Sequence, residues 1–306
     1  MKIIGGSSNQ SLTKSLAAQL NAEIISTEIT TFPNGERRVW INDEISNVKG
    51  HNIALVQSFS QPVDMHIMET LLIIDALERM GARHINLIVP WMGYSLQDKV
   101  FRDGEPIAAK VVANLVSHAY VKRAFLLDLH NSSTPGFFAI PTHHVSAQPL
   151  FVDYAQTQFK QALEAGEVLA ASPDFGGLKR ARVFANKVGV DLVNIDKHRN
   201  LRTGEVSAIQ IQGGNVENKI VLIMDDVIVS GGTVAEAARL LKKEGAREVH
   251  FFASHCLMVG SAKENLADPA IDSIITTNSV EHGDLPSTFK VLDAAALFTE
   301  ELQDWA

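Results

Sequence analysis

The chain has 306 residues, enough for two domains of ordinary size. Its composition, 46% hydrophobic and 20% charged, is that of a folded globular chain, and a net charge of −8 argues against nucleic-acid binding as its main work. The single cysteine, Cys256, excludes an intrachain disulfide, and no apolar run approaches the ~20 residues that span a bilayer. The start, Met1-Lys2-Ile3-Ile4-Gly5-Gly6, reads as a strand and a glycine turn without an apolar leader. These features predict a cytoplasmic protein with no membrane partner.

Strand-like and helical patterns alternate along the whole chain. In order, strands are expected over 2–4, 52–56, 85–89, 124–129, 168–172, 192–195, 220–224, 249–253 and 273–276. Most are continuously apolar, the pattern of parallel strands buried on both faces. Helices are expected over 9–20, 63–80, 106–116, 150–163, 178–188 and 234–244. In the second, Ile67, Met68, Leu71, Leu72, Ala76 and Met80 form one apolar stripe. Pro106 suits a first helical position, and Lys242-Lys243 before Gly245 marks a helix end. The fold class is α/β with mostly parallel sheets, divided into domains 1–147 and 148–306. Cys256 is read as a small buried hydrophobe at a strand end.

The most informative stretch is 221–233. An apolar strand runs into Asp225-Asp226, then into the turn Ser230-Gly231-Gly232-Thr233, then into an amphipathic helix. A glycine turn opening a helix turns backbone N–H groups toward an anion, and the helix dipole favours negative charge there. The two carboxylates sit where a sugar diol or a metal would lie. Structural punctuation, a strand end and a tight turn, accounts for the same residues, so on spacing alone both readings stand.

Other segments have the same double character. Phe32-Pro33-Asn34-Gly35-Glu36 satisfies a plain turn between two strands. Trp91-Met92-Gly93-Tyr94-Ser95-Leu96-Gln97-Asp98 follows a buried strand, where ligand loops of α/β sheets belong, although Trp91, Met92 and Leu96 also suit a core. Asp128-Leu129-His130 closes another strand. Asp174, in Ser172-Pro173-Asp174-Phe175-Gly176-Gly177, suits a helix N-cap as well as a metal ligand. Asp196-Lys197-His198-Arg199 follows a strand and leads into the polar run 200–205. His143 and His144 are neighbours in an extended segment, so they point to opposite faces and form no common site.

In this order, these segments resemble the PRPP synthetase (ribose-phosphate diphosphokinase) family, which is built from type I phosphoribosyltransferase-like, Rossmann-like domains. The resemblance runs from Gly5 to about Leu297. It implies synthesis of 5-phosphoribosyl 1-diphosphate (PRPP) and AMP from ATP and ribose 5-phosphate, with Mg²⁺ as cofactor and an active site between two domains. It assigns ATP binding to Phe32, Asn34, Gly35, Glu36, Leu96, Gln97 and Asp98. Phe32 would stack on the adenine of a neighbouring subunit, which implies a dimer-based assembly, often a hexamer. Ribose 5-phosphate falls to Arg199, Asp225, Asp226, Val229, Ser230, Gly231, Gly232 and Thr233. Mg²⁺ falls to His130 and Asp174, and catalysis to Lys197 and Arg199 on a mobile flap.

Three positions depart from the family pattern. Leu96 stands where the family has arginine, Val229 where it has Asp or Ser, and Asn34 where it has Asp. Lys99 or Arg102 could supply the cation lost at Leu96. These departures keep open a catalytically weak or inactive regulatory relative of the synthetases. A nucleobase phosphoribosyltransferase would share the 221–233 signature but not the earlier motifs.

Overall fold

The structure is a computed structural model. It describes residues 1–303 and 305 except 200–205, with backbone alone over 196–199 and 206–210. The chain forms two compact units. The first comprises 1–146 with 278–282 and 293–306, and the second 147–277 with 283–292.

In the first unit, β1 (Lys2–Gly5) leads to α1 (Gln10–Gln19), whose cap Asn9 accepts from the Leu12 N–H at 3.2 Å. A two-stranded antiparallel hairpin follows, β2 (Glu28–Thr31) and β3 (Arg37–Trp40). Then come β4 (Asn52–Val56), α2 (Val63–Arg79), β5 (His84–Val89), α3 (Ala108–His118), β6 (Arg123–Leu127) and β7 (Thr142–Val145). The main sheet is parallel in the order β1-β4-β5-β6-β7. Ile24 bridges β1 on its far side, so the chain first winds one way from β1 and then the other. Such a reversal opens a crevice at the carboxyl ends of β1 and β4. Here the chain fills it with its own 278–282 segment: the Asn9 side-chain amide donates to the carbonyls of Asn278 (2.8 Å) and Ser279 (3.1 Å).

The second unit runs α4 (Gln148–Gln158), α5 (Lys160–Glu164), β8 (Val168–Ser172), α6 (Leu178–Val188), β9 (Leu192–Arg199), β10 (Val206–Gln212), β11 (Ile220–Ile228), α7 (Gly232–Lys243), β12 (Glu248–Cys256), α8 (Ala262–Asn265), β13 (Ser273–Thr277) and β14 (Phe289–Leu292). α9 (Ala295–Gln303) belongs to the first unit. The sheet order is β10-β9-β8-β11-β12-β13-β14, parallel except for β10 on β9. Its core gathers Val221, Ile223, Val249, Phe251 and Ile274 under Ala237, Ala238 and Leu241 of α7. Winding reverses between β8 and β11, so the ligand crevice of this unit lies where Asp174 and Asp225-Asp226 emerge.

The structure corrects several expectations. The helix expected over 150–163 starts at Gln148 and breaks at Phe159, whose backbone (φ −107°, ψ 19°) leaves the helical range as its ring is buried. Pro106 lies outside α3, which begins at Ala108. Asp128 and Leu129 lie beyond β6, and Asp128 turns the chain with φ +32°. Asp225 and Asp226 lie inside β11, which continues to Ile228 because β12 runs beside it as far as Cys256. Lys197 and Arg199 lie within β9 rather than after it, because β10 supplies a partner strand.

Candidate functional site

The loop after β11 has the geometry of an anion cradle. Gly231 adopts φ +73° and caps α7. A Cβ there would lie 2.6 Å from Leu266, a close approach that demands glycine. Asn265 supports the loop from below, its side-chain amide donating to the Ser230 carbonyl at 2.7 Å. The first-turn amides of α7 have no intrahelical acceptor and open toward the loop, which Val229, Ser230, Gly231, Gly232 and Thr233 enclose. Gly231→Ala is expected to weaken binding of a phosphate monoester at this loop about tenfold or more, since a strained φ costs ~1–3 kcal/mol. Titration calorimetry checks this, and an unchanged affinity would contradict the cradle.

Asp225 and Asp226 stand beside this loop, and Arg180 on α6 reaches both. Its Nη1 donates to Asp226 Oδ1 at 2.9 Å and approaches Asp225 Oδ1 at 3.4 Å. The Asp226 side chain is 4% exposed and that of Asp225 25%. Burial, then the neighbouring Asp226 charge, pushes the Asp225 carboxyl up to about 8, against the pull of Arg180. Its ordinary value is 3.8, so folding takes up a proton between the two values and stability falls as pH rises through that window. Asp225→Asn cannot ionise. It is expected to raise Tm relative to the parent chain at about pH 8.5 and far less at about pH 4.5. Calorimetry at both pH values checks the sign, and equal differences would contradict it.

Asp174 is exposed at the end of β8. Its Oδ1 accepts from the Gly177 N–H at 2.9 Å, and the Ser172 hydroxyl donates to its carbonyl at 2.6 Å. It therefore shapes the turn before α6 without being the cap, which is Gly177. The backbones of Lys197 and Arg199 pair with Ile209 and Val206. Their side chains and the polar run 200–205 lie outside the described residues.

In the first unit, the Phe32 turn is a hairpin tip. The Phe32 N–H donates to the Glu36 carbonyl (2.8 Å), the Glu36 N–H to Asn34 Oδ1 (3.2 Å), and Gly35 takes φ +90°. Phe32 is 47% exposed, so its ring is presented outward. The loop after β5 is anchored through the buried Trp91 and Met92, with Gly93 pressed against the Phe59 carbonyl. Leu96, Gln97 and Asp98 lie half-buried beyond it. Asp98 accepts from the Asn131 side chain at 2.6 Å, which ties this loop to the one carrying His130. Lys99 lies over the Phe101 ring, 5.2 Å from its centroid.

Four supporting residues were missed in the sequence. Arg180 could have been found as a cation in the first turn of the helix after Asp174. His144 Nε2 accepts from the Leu129 N–H at 3.0 Å and so steadies the His130 loop, while His143 stacks on Phe125 on the other face. Arg37 and Glu69, 32 residues apart, form an ion pair that no local pattern announces. Cys256 is buried and its thiol is pushed up to about 12, consistent with an inert core residue.

Among the described residues no three His, Cys, Asp or Glu side chains gather into a metal-holding group. The Asp174 carboxylate suits Mg²⁺, which is usually held through one or two carboxylates together with substrate phosphates, whereas the imidazole of His130 is an unusual ligand for so hard a cation. Among the described residues no helix is long and apolar enough to cross a membrane.

Fold and loops together define a tandem of phosphoribosyltransferase-type α/β domains. Residues 1–119 match the model of the N-terminal domain of ribose phosphate pyrophosphokinase, and residues 147–289 match the phosphoribosyl transferase domain. A ribose-phosphate pyrophosphokinase from Helicobacter hepaticus is 37% identical over 99% of this chain and 94% of its own length. One from Thermotoga maritima is 34% identical, again over 99% and 94%. The crystal structure of phosphoribosylpyrophosphate synthetase from Mycobacterium smegmatis is similar over 99% of this chain and 97% of that chain, with 30% identity and a TM-score of 0.89. The chain belongs to the ribose-phosphate pyrophosphokinase family.

Proposed function

We propose that this enzyme transfers the β,γ-diphosphoryl group of ATP to the anomeric hydroxyl of ribose 5-phosphate. The observation that carries the proposal is the Asp225-Asp226 pair beside the Gly231 cradle, in a chain that matches the family over nearly its full length. The C1 hydroxyl oxygen forms a bond to the β-phosphorus and the bond from that phosphorus to the α,β-bridging oxygen breaks. AMP leaves with the bridging oxygen, and the hydroxyl proton is released.

Val229, Ser230, Gly231, Gly232 and Thr233 would hold the 5-phosphate through backbone amides. Asp225 and Asp226 would accept from the 2- and 3-hydroxyls. Phe32, Asn34, Gly35, Glu36, Leu96, Gln97 and Asp98 would bind ATP, with Phe32 stacked on adenine. Lys197 and Arg199 would meet charge developing on the transferring group, with Arg199 also binding ribose 5-phosphate; such charge stabilisation is the main catalytic lever in phosphoryl transfer. His130 and Asp174 would hold Mg²⁺, which when bound neutralises charge on ATP oxygens.

We also propose that the Phe32 hairpin completes a neighbour's nucleotide pocket in a dimer-based assembly, a hexamer, working in the cytoplasm. A monomer retaining full activity in a sedimentation-linked assay would refute the shared pocket. AMP formation that requires ribose 5-phosphate is the direct test of the reaction. Leu96 in place of arginine favours one other reading, a weak or inactive regulatory relative. A folded protein that binds ribose 5-phosphate but forms no AMP would establish that reading instead.

A further inference from the structure

Glu69 is a fully buried carboxylate on α2 that belongs to none of the loops assigned so far. Both its oxygens are saturated with donors. Oε1 accepts from the Ser7 N–H (2.6 Å) and from Gln57 Nε2 (2.6 Å). Oε2 accepts from the Ser7 hydroxyl (2.8 Å) and from Arg37 Nε (3.1 Å) and Nη2 (2.5 Å). Gln57 passes the network on, its Oε1 accepting from the Ser8 N–H and hydroxyl at 3.0 and 2.7 Å. One buried charge therefore joins the carboxyl ends of β1 and β4, helix α2 and the hairpin.

Arg37 is the hairpin's share of this network. It stands at the first position of β3, directly after the Phe32–Glu36 tip. Every guanidinium nitrogen is used: Nε and Nη2 on Glu69, Nη2 also on the Ser7 hydroxyl (3.0 Å), and Nη1 on Thr31 Oγ1 (2.9 Å) in the facing strand. A two-stranded hairpin holds its shape poorly alone. Ile29 and Val39 pack it onto the core, but apolar packing is non-directional and does not by itself fix the angle of the tip. The planar fork of Arg37 on a fixed carboxylate removes that freedom, which the point charge of a lysine does only in part.

We propose that Arg37 and Glu69 are positioning residues for the nucleotide, acting through the hairpin that carries Phe32 and Asn34. The inference rests on the reading that this tip binds adenine. It predicts a defect in ATP binding with the sugar-phosphate site intact, because lost orientation of a remote contact weakens binding of the group it touches.

The test compares the full-length chain with Arg37→Met and Arg37→Lys, and with Glu69→Gln as an independent probe. Calorimetry measures Kd for ATP·Mg²⁺ without ribose 5-phosphate, and steady-state assays give both KM values and kcat. Arg37→Met is expected to raise Kd and KM for ATP about tenfold, leaving kcat and KM for ribose 5-phosphate within about twofold, with Arg37→Lys intermediate. ATP affinity unchanged in Arg37→Met would overturn the proposal. So would a loss of kcat in step with folded protein and no change in ATP affinity. If the parent chain forms no PRPP, the proposed reaction fails, and the ATP Kd comparison still decides the role of Arg37.

Discussion

Lys197→Ala is expected to lower kcat about 100-fold or more while leaving Tm and both substrate affinities nearly unchanged. Removing one donor aimed at developing charge costs roughly 3–4 kcal/mol in the transition state. The charge on the transferring diphosphoryl group grows only as the bond to AMP breaks, so the ground state loses little. Lys197 lies in the β9–β10 ladder opposite Ile209, so the backbone that carries it does not depend on its side chain. Single-turnover measurement of AMP release isolates the chemical step. A near-normal rate would remove Lys197 from the mechanism and leave Arg199 as the cation to examine.

Asp226→Ala is expected to damage stability and substrate binding together. Its carboxylate is nearly enclosed and holds Arg180 at 2.9 Å. Truncation strands the guanidinium beside Asp225 alone, and breaking a buried pair from one side costs about 3–5 kcal/mol. It also removes one of the two acceptors proposed for the ribose diol. We expect kcat/KM for ribose 5-phosphate to fall about 100-fold, as charge-assisted hydrogen bonds of ~1.5–3 kcal/mol are lost. Arg180→Met should restore part of the stability in the double variant without restoring activity. Thermal melts and kinetics on the single and double variants separate the two effects. Full activity in Asp226→Ala would place the diol elsewhere.

The parallel strands were legible because burial on both faces leaves an unbroken apolar run. The strands at 52–56 and 168–172 and the helix at 178–188 coincide with Asn52–Val56, Val168–Ser172 and Leu178–Val188. Loops at the carboxyl ends of those strands followed from the same pattern, since each motif sits directly after an apolar run. The hairpin β2–β3 was legible only through its turn, Phe32–Glu36, which reads as a link between two strands. Its strands, Glu28-Ile29-Thr30-Thr31 and Arg37-Arg38-Val39-Trp40, are short and largely polar, and Arg37 is held by Glu69 rather than by its own apolar face. β10 was missed because its partner is β9, in an antiparallel pairing that follows the polar run 200–205 in the sequence. α9 was missed because its buried face, Ala295, Leu297, Phe298 and Leu302, is short and follows closely on the brief strand β14. His144 acts through a contact between distant elements, which spacing along one chain does not encode, whereas Arg180 stands in the first turn of α6, just after the Asp174 motif.

³¹P NMR follows diphosphoryl transfer directly. The purified protein is given ribose 5-phosphate, ATP, Mg²⁺ and inorganic phosphate, and the phosphorus signals are followed over time. Diphosphoryl transfer predicts AMP and PRPP signals rising together at equal rates as ATP declines, with no ADP. ATP that stays unchanged while the folded protein binds ribose 5-phosphate, or ADP appearing in place of AMP, would contradict it.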